Sequence, residues 1–194
     1  MKYVFILFYV FSFTIGFAQT DSLELSSKPI SERKHELKLG AVKMLAGVIF
    51  ETTYERILNK NSGYGASVLI NFGSDNYYLE NYSITPFYRM YFQTNEDFGA
   101  KGIFVEGFTS IFAGTNYDTY LEDAYSIPSP EDGYYYNYID ENFVDASVGL
   151  ALGKKWINTA GFVFEIKAGA GRNLFGASQF DAIFKGDFYI GYRF

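Results

Sequence analysis

The last eleven residues, Phe184 to Phe194, alternate with a period of two. One parity is Phe184, Gly186, Phe188, Ile190, Tyr192 and Phe194; the other is Lys185, Asp187, Tyr189, Gly191 and Arg193. Such a period belongs to a β-strand whose two faces meet different surroundings. The pattern recurs upstream. Tyr64, Ala66, Val68, Ile70 and Phe72 oppose Gly65, Ser67, Leu69 and Asn71. Val144, Ala146, Val148, Leu150 and Leu152 oppose Asp145, Ser147, Gly149, Ala151 and Gly153. Phe162, Phe164, Ile166, Ala168 and Ala170 oppose Val163, Glu165, Lys167, Gly169 and Gly171. Eight strands are predicted, at about 36–45, 48–58, 63–73, 82–93, 100–112, 143–155, 160–172 and 183–194. Pro86 stands in the fourth, where a missing ladder donor predicts a local bulge.

The front of the chain reads differently. Met1 and Lys2 precede an apolar run from Tyr3 to Phe17, and small residues surround the expected cleavage point after Ala18. That is the layout of a secretory signal peptide over 1–18, too short to span a membrane as a helix. Residues 19–35 are polar and Ser-rich and read as a periplasmic lead-in without a fold of its own. Residues 36–194 then form one domain. There is no Cys, which excludes disulfides, thiol nucleophiles and Cys-bound zinc. The net charge of −6, with no basic run, argues against nucleic acid as a partner.

Connections after even-numbered strands are short, whereas those after the third, fifth and seventh are long. An even strand number brings both termini to the tight-turn end. The expected fold is therefore an all-β, eight-stranded antiparallel up-and-down transmembrane β-barrel. Periodicity alone also permits a soluble barrel with the apolar face inward. The polar parity favours the membrane form, being rich in small residues suited to a narrow lumen and poor in the charges of a solvated face. The 18 Tyr and 21 Phe exceed what one small core would bury and suit interfacial girdles.

With its export signal, eight alternating strands and terminal Phe188, Ile190, Tyr192 and Phe194, the chain resembles the small outer-membrane barrels of the OmpA and OmpX type. The segment from Glu51 to Lys60 is similar to one in uncharacterised outer-membrane barrel families of Gram-negative bacteria. The resemblance implies an outer-membrane location. It also implies that the terminal aromatic strand is an assembly signal read by the outer-membrane assembly machinery.

Two constellations are candidates for chemistry. Inward parity places Glu55, Arg89, Glu106, Asp145, Glu165, Lys167, Lys185 and Asp187 in the lumen. A register pairing Arg89 with Glu106 is expected, and a ladder of Asp145, Lys167 and Asp187. Paired carboxylates suit acid–base work; compensating ion pairs that plug the barrel are the plainer reading. The stretch from Ala113 to Asn142 has seven acids and no base. It carries Tyr117, Tyr120, Asp123, Tyr125, Tyr134, Tyr135, Tyr136 and Tyr138. It reads either as a surface-recognition loop for an extracellular protein or glycan, with oxygen ligands suited to Ca²⁺, or as an upward extension of the fifth and sixth strands with its tip at Pro128–Pro130.

His35, the only His, lies at the lead-in boundary and reads as a solvated residue remote from any loop site. No catalytic motif, cofactor site or metal site is expected. The functional expectation is a non-enzymatic outer-membrane protein with a structural or surface-interaction role. The alternatives are a narrow or gated channel and, after that, a surface enzyme.

Overall fold

The computed structural model describes residues 29–73, 78–92, 99–121 and 136–194; the signal-peptide reading falls outside them. The strands are β1 (His35–Gly40), β2 (Ile49–Asn59), β3 (Ser62–Asn71), β4 (Glu80–Phe92), β5 (Gly102–Leu121), β6 (Tyr136–Ile157), β7 (Phe162–Asn173) and β8 (Ala182–Arg193). They pair antiparallel in sequence order, and β8 closes on β1 with Tyr192 opposite Leu37. The fold is an all-β closed barrel of eight strands. The chain enters β1 and leaves β8 at one end, here called the lower end.

Alternation sorts the side chains by face. Tyr64, Val68, Ile84, Tyr88, Ile111, Val148, Leu150, Leu152, Ile166, Phe184 and Ile190 point outward and are exposed. Glu36, Lys38, Glu55, Arg89, Glu106, Lys155, Glu165 and Arg193 point inward and are at most 1 % exposed. The barrel is thus apolar outside and charged inside.

The expected first strand is cut short. Residues Ala41–Gly47 form helix α1 instead of continuing β1. Ala41, Lys43, Met44, Leu45 and Ala46 are good helix formers, and local propensity overrides the alternation begun at Leu37 and Leu39. The helix ends where Val48 adopts φ 56°, a left-handed position. With α1 in place, every connection at the upper end is longer than a tight turn.

The register shift in β4 falls between Glu80 and Tyr82, not at Pro86. Pro86 stays opposite Ala66 in the ladder with β3, its side chain outward. The shift explains why Glu80 is buried while Tyr82, two residues on, is exposed.

The lead-in is also more structured than expected at its end. Ile30 is buried. Arg33 Nη1 donates to Ala160 O at 3.0 Å and to Tyr192 Oη at 3.1 Å. His35 is half-buried rather than solvated: its Nδ1 lies 2.7 Å from Tyr54 Oη, and its ring stacks on Phe194 at 5.9 Å. Of the terminal residues expected to act as an assembly signal, Tyr192 meets Phe162 edge-on at 5.7 Å and Phe188 lies 6.5 Å from Phe164, all on the outer wall beside Ile190.

Inward aromatic residues and glycines are matched across strands. Phe104 stands opposite Gly153, Phe108 opposite Gly149, Phe87 opposite Gly65 and Phe143 opposite Gly114. Each ring occupies the space a neighbouring side chain would need. A Cβ on Gly153 would lie 2.3 Å from Phe104 Cζ, and one on Gly149 would lie 2.5 Å from Phe108 Cζ. The pairing fills a barrel too narrow for two large residues at one level.

Candidate functional site

The lower half of the lumen is one ion network. Arg89 is at its centre. Its Nε donates to Glu106 at 2.5 Å, and its Nη1 donates to Glu55 at 2.8 Å and to Glu165 at 2.7 Å. Its guanidinium lies between the rings of Phe87 and Phe104, at 4.5 and 4.4 Å. Lys38 bridges Glu55 at 2.8 Å and Glu165 at 2.6 Å. Lys155 reaches Glu36 at 2.7 Å and Glu55 at 2.8 Å, and it also meets the hydroxyl of Tyr91. Arg193 holds Glu36 at 2.6 Å, and its guanidinium donates to Gly99 O and Ala100 O in the connection before β5. Lys167 closes the set on Glu106 at 2.9 Å.

Strands β1, β2, β4, β5, β6, β7 and β8 all contribute, so the network ties the wall together through its centre. Burying these ions is costly, and it is sustained here because each carboxylate faces at least one cation. Arg89 Nη2, Glu165 Oε1, Thr53 Oγ1 and Ser147 Oγ remain without a protein partner in the buried interior.

The upper half is organised differently. Lys185 pairs with Glu80 and also donates to Ser83 Oγ at 3.2 Å. Tyr189 Oη donates to Glu51 at 3.1 Å, and Lys43 from α1 reaches the same carboxylate at 2.6 Å. Burial alone would lower the pKa of Lys43. The Glu51 carboxylate and then Tyr78 outweigh it and hold the ammonium above its ordinary value. Burial, reinforced by Glu80, raises the Tyr78 phenol.

The expected register of Arg89 with Glu106 is observed in both backbone and side chains. The ladder of Asp145, Lys167 and Asp187 is not. Lys167 and Asp187 are cross-strand neighbours, but Lys167 gives its ammonium to Glu106. Asp145 lies above the β6–β7 pairing, which begins at Ser147. Both aspartates instead hold backbone. Asp187 accepts from Val42 N at 2.9 Å and Lys43 N at 3.2 Å, capping α1 from a different element. Asp145 accepts from Phe175 N at 3.1 Å, Ala177 N at 3.0 Å and Ser178 N at 3.2 Å, fixing the β7–β8 connection. An alternation pattern gives the direction of a carboxylate but not whether its partner is an ammonium or a peptide N–H.

Sequence reasoning missed Glu36, Lys38, Glu51, Glu80, Lys155 and Arg193 as lumen ions. Lys155 shares its parity with Asp145, and Glu36 and Lys38 alternate with Leu37 and Leu39, so the signal was present. Glu80 had none, because the register shift reverses its face.

The described ends of the acidic, Tyr-rich stretch are continuations of the fifth and sixth strands. Strands β5 and β6 continue pairing to Leu121 opposite Tyr136, with Tyr117 opposite Asp140 and Thr119 opposite Tyr138. Tyr117, Tyr120, Tyr136 and Tyr138 are therefore strand residues of an extended hairpin. Asp123, Tyr125, Tyr134, Tyr135 and the Pro128–Pro130 tip lie outside the described residues. On the outer wall, a shallow apolar groove of about 370 Å³ is lined by Val68, Tyr82, Ile84, Ile111 and Val144 beside the β4 register shift. Comparison with family models, with curated proteins and with solved structures finds no match.

Proposed function

We propose that this protein is an outer-membrane β-barrel, exported by its first eighteen residues, whose lumen is closed and whose upper end meets the cell exterior. The carrying observation is the inside-out distribution of polarity: Leu150 is 66 % and Phe184 64 % exposed on the outside, while Arg89 and Glu55 inside are fully buried. A wall of that kind is stable where its outer face meets hydrocarbon. The lumen charges are engaged with one another, which favours a mechanical role for them over conduction or acid–base catalysis.

On this reading the barrel is non-enzymatic and resembles the small OmpA and OmpX type. It anchors an extended β5–β6 hairpin as its outward contact element, suited to an extracellular protein or glycan. The terminal Phe188, Ile190, Tyr192 and Phe194 supply the signal for the assembly machinery.

The test is mobility and location. Folded protein from the outer-membrane fraction should migrate faster on a gel unboiled than boiled. In planar bilayers it should leave conductance at background. Recovery in the soluble periplasmic fraction with heat-independent mobility would refute the membrane reading, and stable single-channel steps would refute the closed lumen.

A further inference from the structure

The charges that face away from the lumen divide by end. Among the described residues whose side chains are placed, the lower end carries Lys34, Arg56 and Lys154, together with Arg33, Lys60 and Lys101, which are engaged with other groups, and one acid, Glu32. The upper end carries Arg172 against Glu141 and Asp181. Among these described residues the lower end is basic.

Its height on the wall is informative. Outward residues on β6 run Val144, Ala146, Val148, Leu150 and Leu152, and then Lys154 and Trp156. The apolar run ends at Lys154. The eight steps from Val144 to Leu152 span about 27 Å along the strand and roughly 20 Å across a membrane once tilted, close to an outer-membrane apolar band. Arg56, like Lys154, stands three residues from the lower end of its strand. Aromatic residues share the level: Lys154 Nζ lies 5.2 Å from the Trp156 ring centre, and the Arg33 guanidinium lies 5.9 Å from that of Tyr192. Bases beside aromatic rings at the edge of an apolar band are placed for a headgroup layer.

We propose that the lower basic ring is a contact surface for the phosphates of anionic phospholipids in the leaflet facing the lower end. The proposal rests on the membrane reading above and specifies which lipid chemistry that end takes. Arg56 on β2 and Lys154 on β6 are four strands apart in either direction around the closed barrel. One small anion cannot bridge them, and a globular partner would cover only one side. A leaflet presents phosphates on all sides at one height.

The exported protein is refolded into vesicles of phosphatidylcholine, with and without a minor fraction of phosphatidylglycerol, and its denaturant unfolding is compared. The anionic lipid should raise the folded-to-unfolded ratio, on the order of five-fold for each engaged base. High salt should remove the gain. The variant Lys34→Gln/Arg56→Gln/Lys154→Gln should match the parent in phosphatidylcholine and lose most of the gain, whereas Arg172→Gln should keep it. Inorganic phosphate added to neutral vesicles should not reproduce it. An equal gain in the triple variant, an equal loss with Arg172→Gln, or reproduction by free phosphate overturns the headgroup proposal while leaving the membrane reading standing. Failure of the parent to insert into either vesicle overturns both.

Discussion

Arg89 serves three carboxylates, and that valence decides how the interior answers substitution. Arg89→Met takes one cation from Glu55, Glu106 and Glu165 at once; Lys38, Lys155 and Lys167 stay with them, so it should cost about 3 kcal/mol, the low end of the range for breaking a buried pair from one side. Glu106→Gln should cost less, because Arg89 keeps its other two partners. In a double-mutant cycle followed by denaturant unfolding, Arg89→Met with Glu106→Gln should show coupling of about 1 kcal/mol or more. Additive effects would mean that the two side chains do not share a partner network in the folded barrel. Gly153 tests the packing side of the same interior. Its missing side chain is the seat of Phe104, and a Cβ there would also lie 2.6 Å from Ile166 O. Gly153→Ala should therefore lower unfolding stability by about 1–3 kcal/mol, whereas Gly107→Ala, whose nearest contact would be Leu150 at 3.9 Å, should be close to neutral.

At the scale of elements, the aspartates connect the wall to its upper fittings. Asp187→Ala removes the acceptor for two N–H groups at the start of α1, and the helix should lose about 1 kcal/mol of local stability. Hydrogen exchange should speed up at Val42 and Lys43 and stay unchanged in β3 and β4. The extended β5–β6 hairpin gives a second test. Replacing residues 122–135 with a short Gly-Ser turn should leave heat-dependent gel mobility intact, because the barrel ladders end below that segment. Protease added to intact cells should cut the parent there and spare the barrel.

These elements also show what the sequence discloses. All eight strands were legible, because alternation is the direct imprint of a wall whose two faces differ in polarity, and Arg89 opposite Glu106 followed from counting residues around one turn. Helix α1 was not legible, since its first residues continue the alternation of β1 and only propensity separates the two outcomes. The roles of Asp145 and Asp187 were not either, because their partners are peptide groups in connections whose path no pattern specifies. Parity carried the lumen ions as far as Lys155, then failed at Glu80, where a one-residue shift in register turns the face over.

For the whole molecule, the central claim is that hydrocarbon, not water, surrounds the wall. Nitroxide labels at Leu150→Cys, Ile84→Cys and Phe184→Cys would sit on the outward apolar face, and a label at Lys60→Cys would sit at the lower turn. The measurement is the collision rate of each label with oxygen and with a water-soluble nickel complex, on protein in outer-membrane lipid. High oxygen and low nickel accessibility at the three wall positions, with the reverse at residue 60, is the outcome predicted here. Nickel collisions at the wall positions as frequent as at residue 60 would contradict the claim and leave the barrel without a membrane.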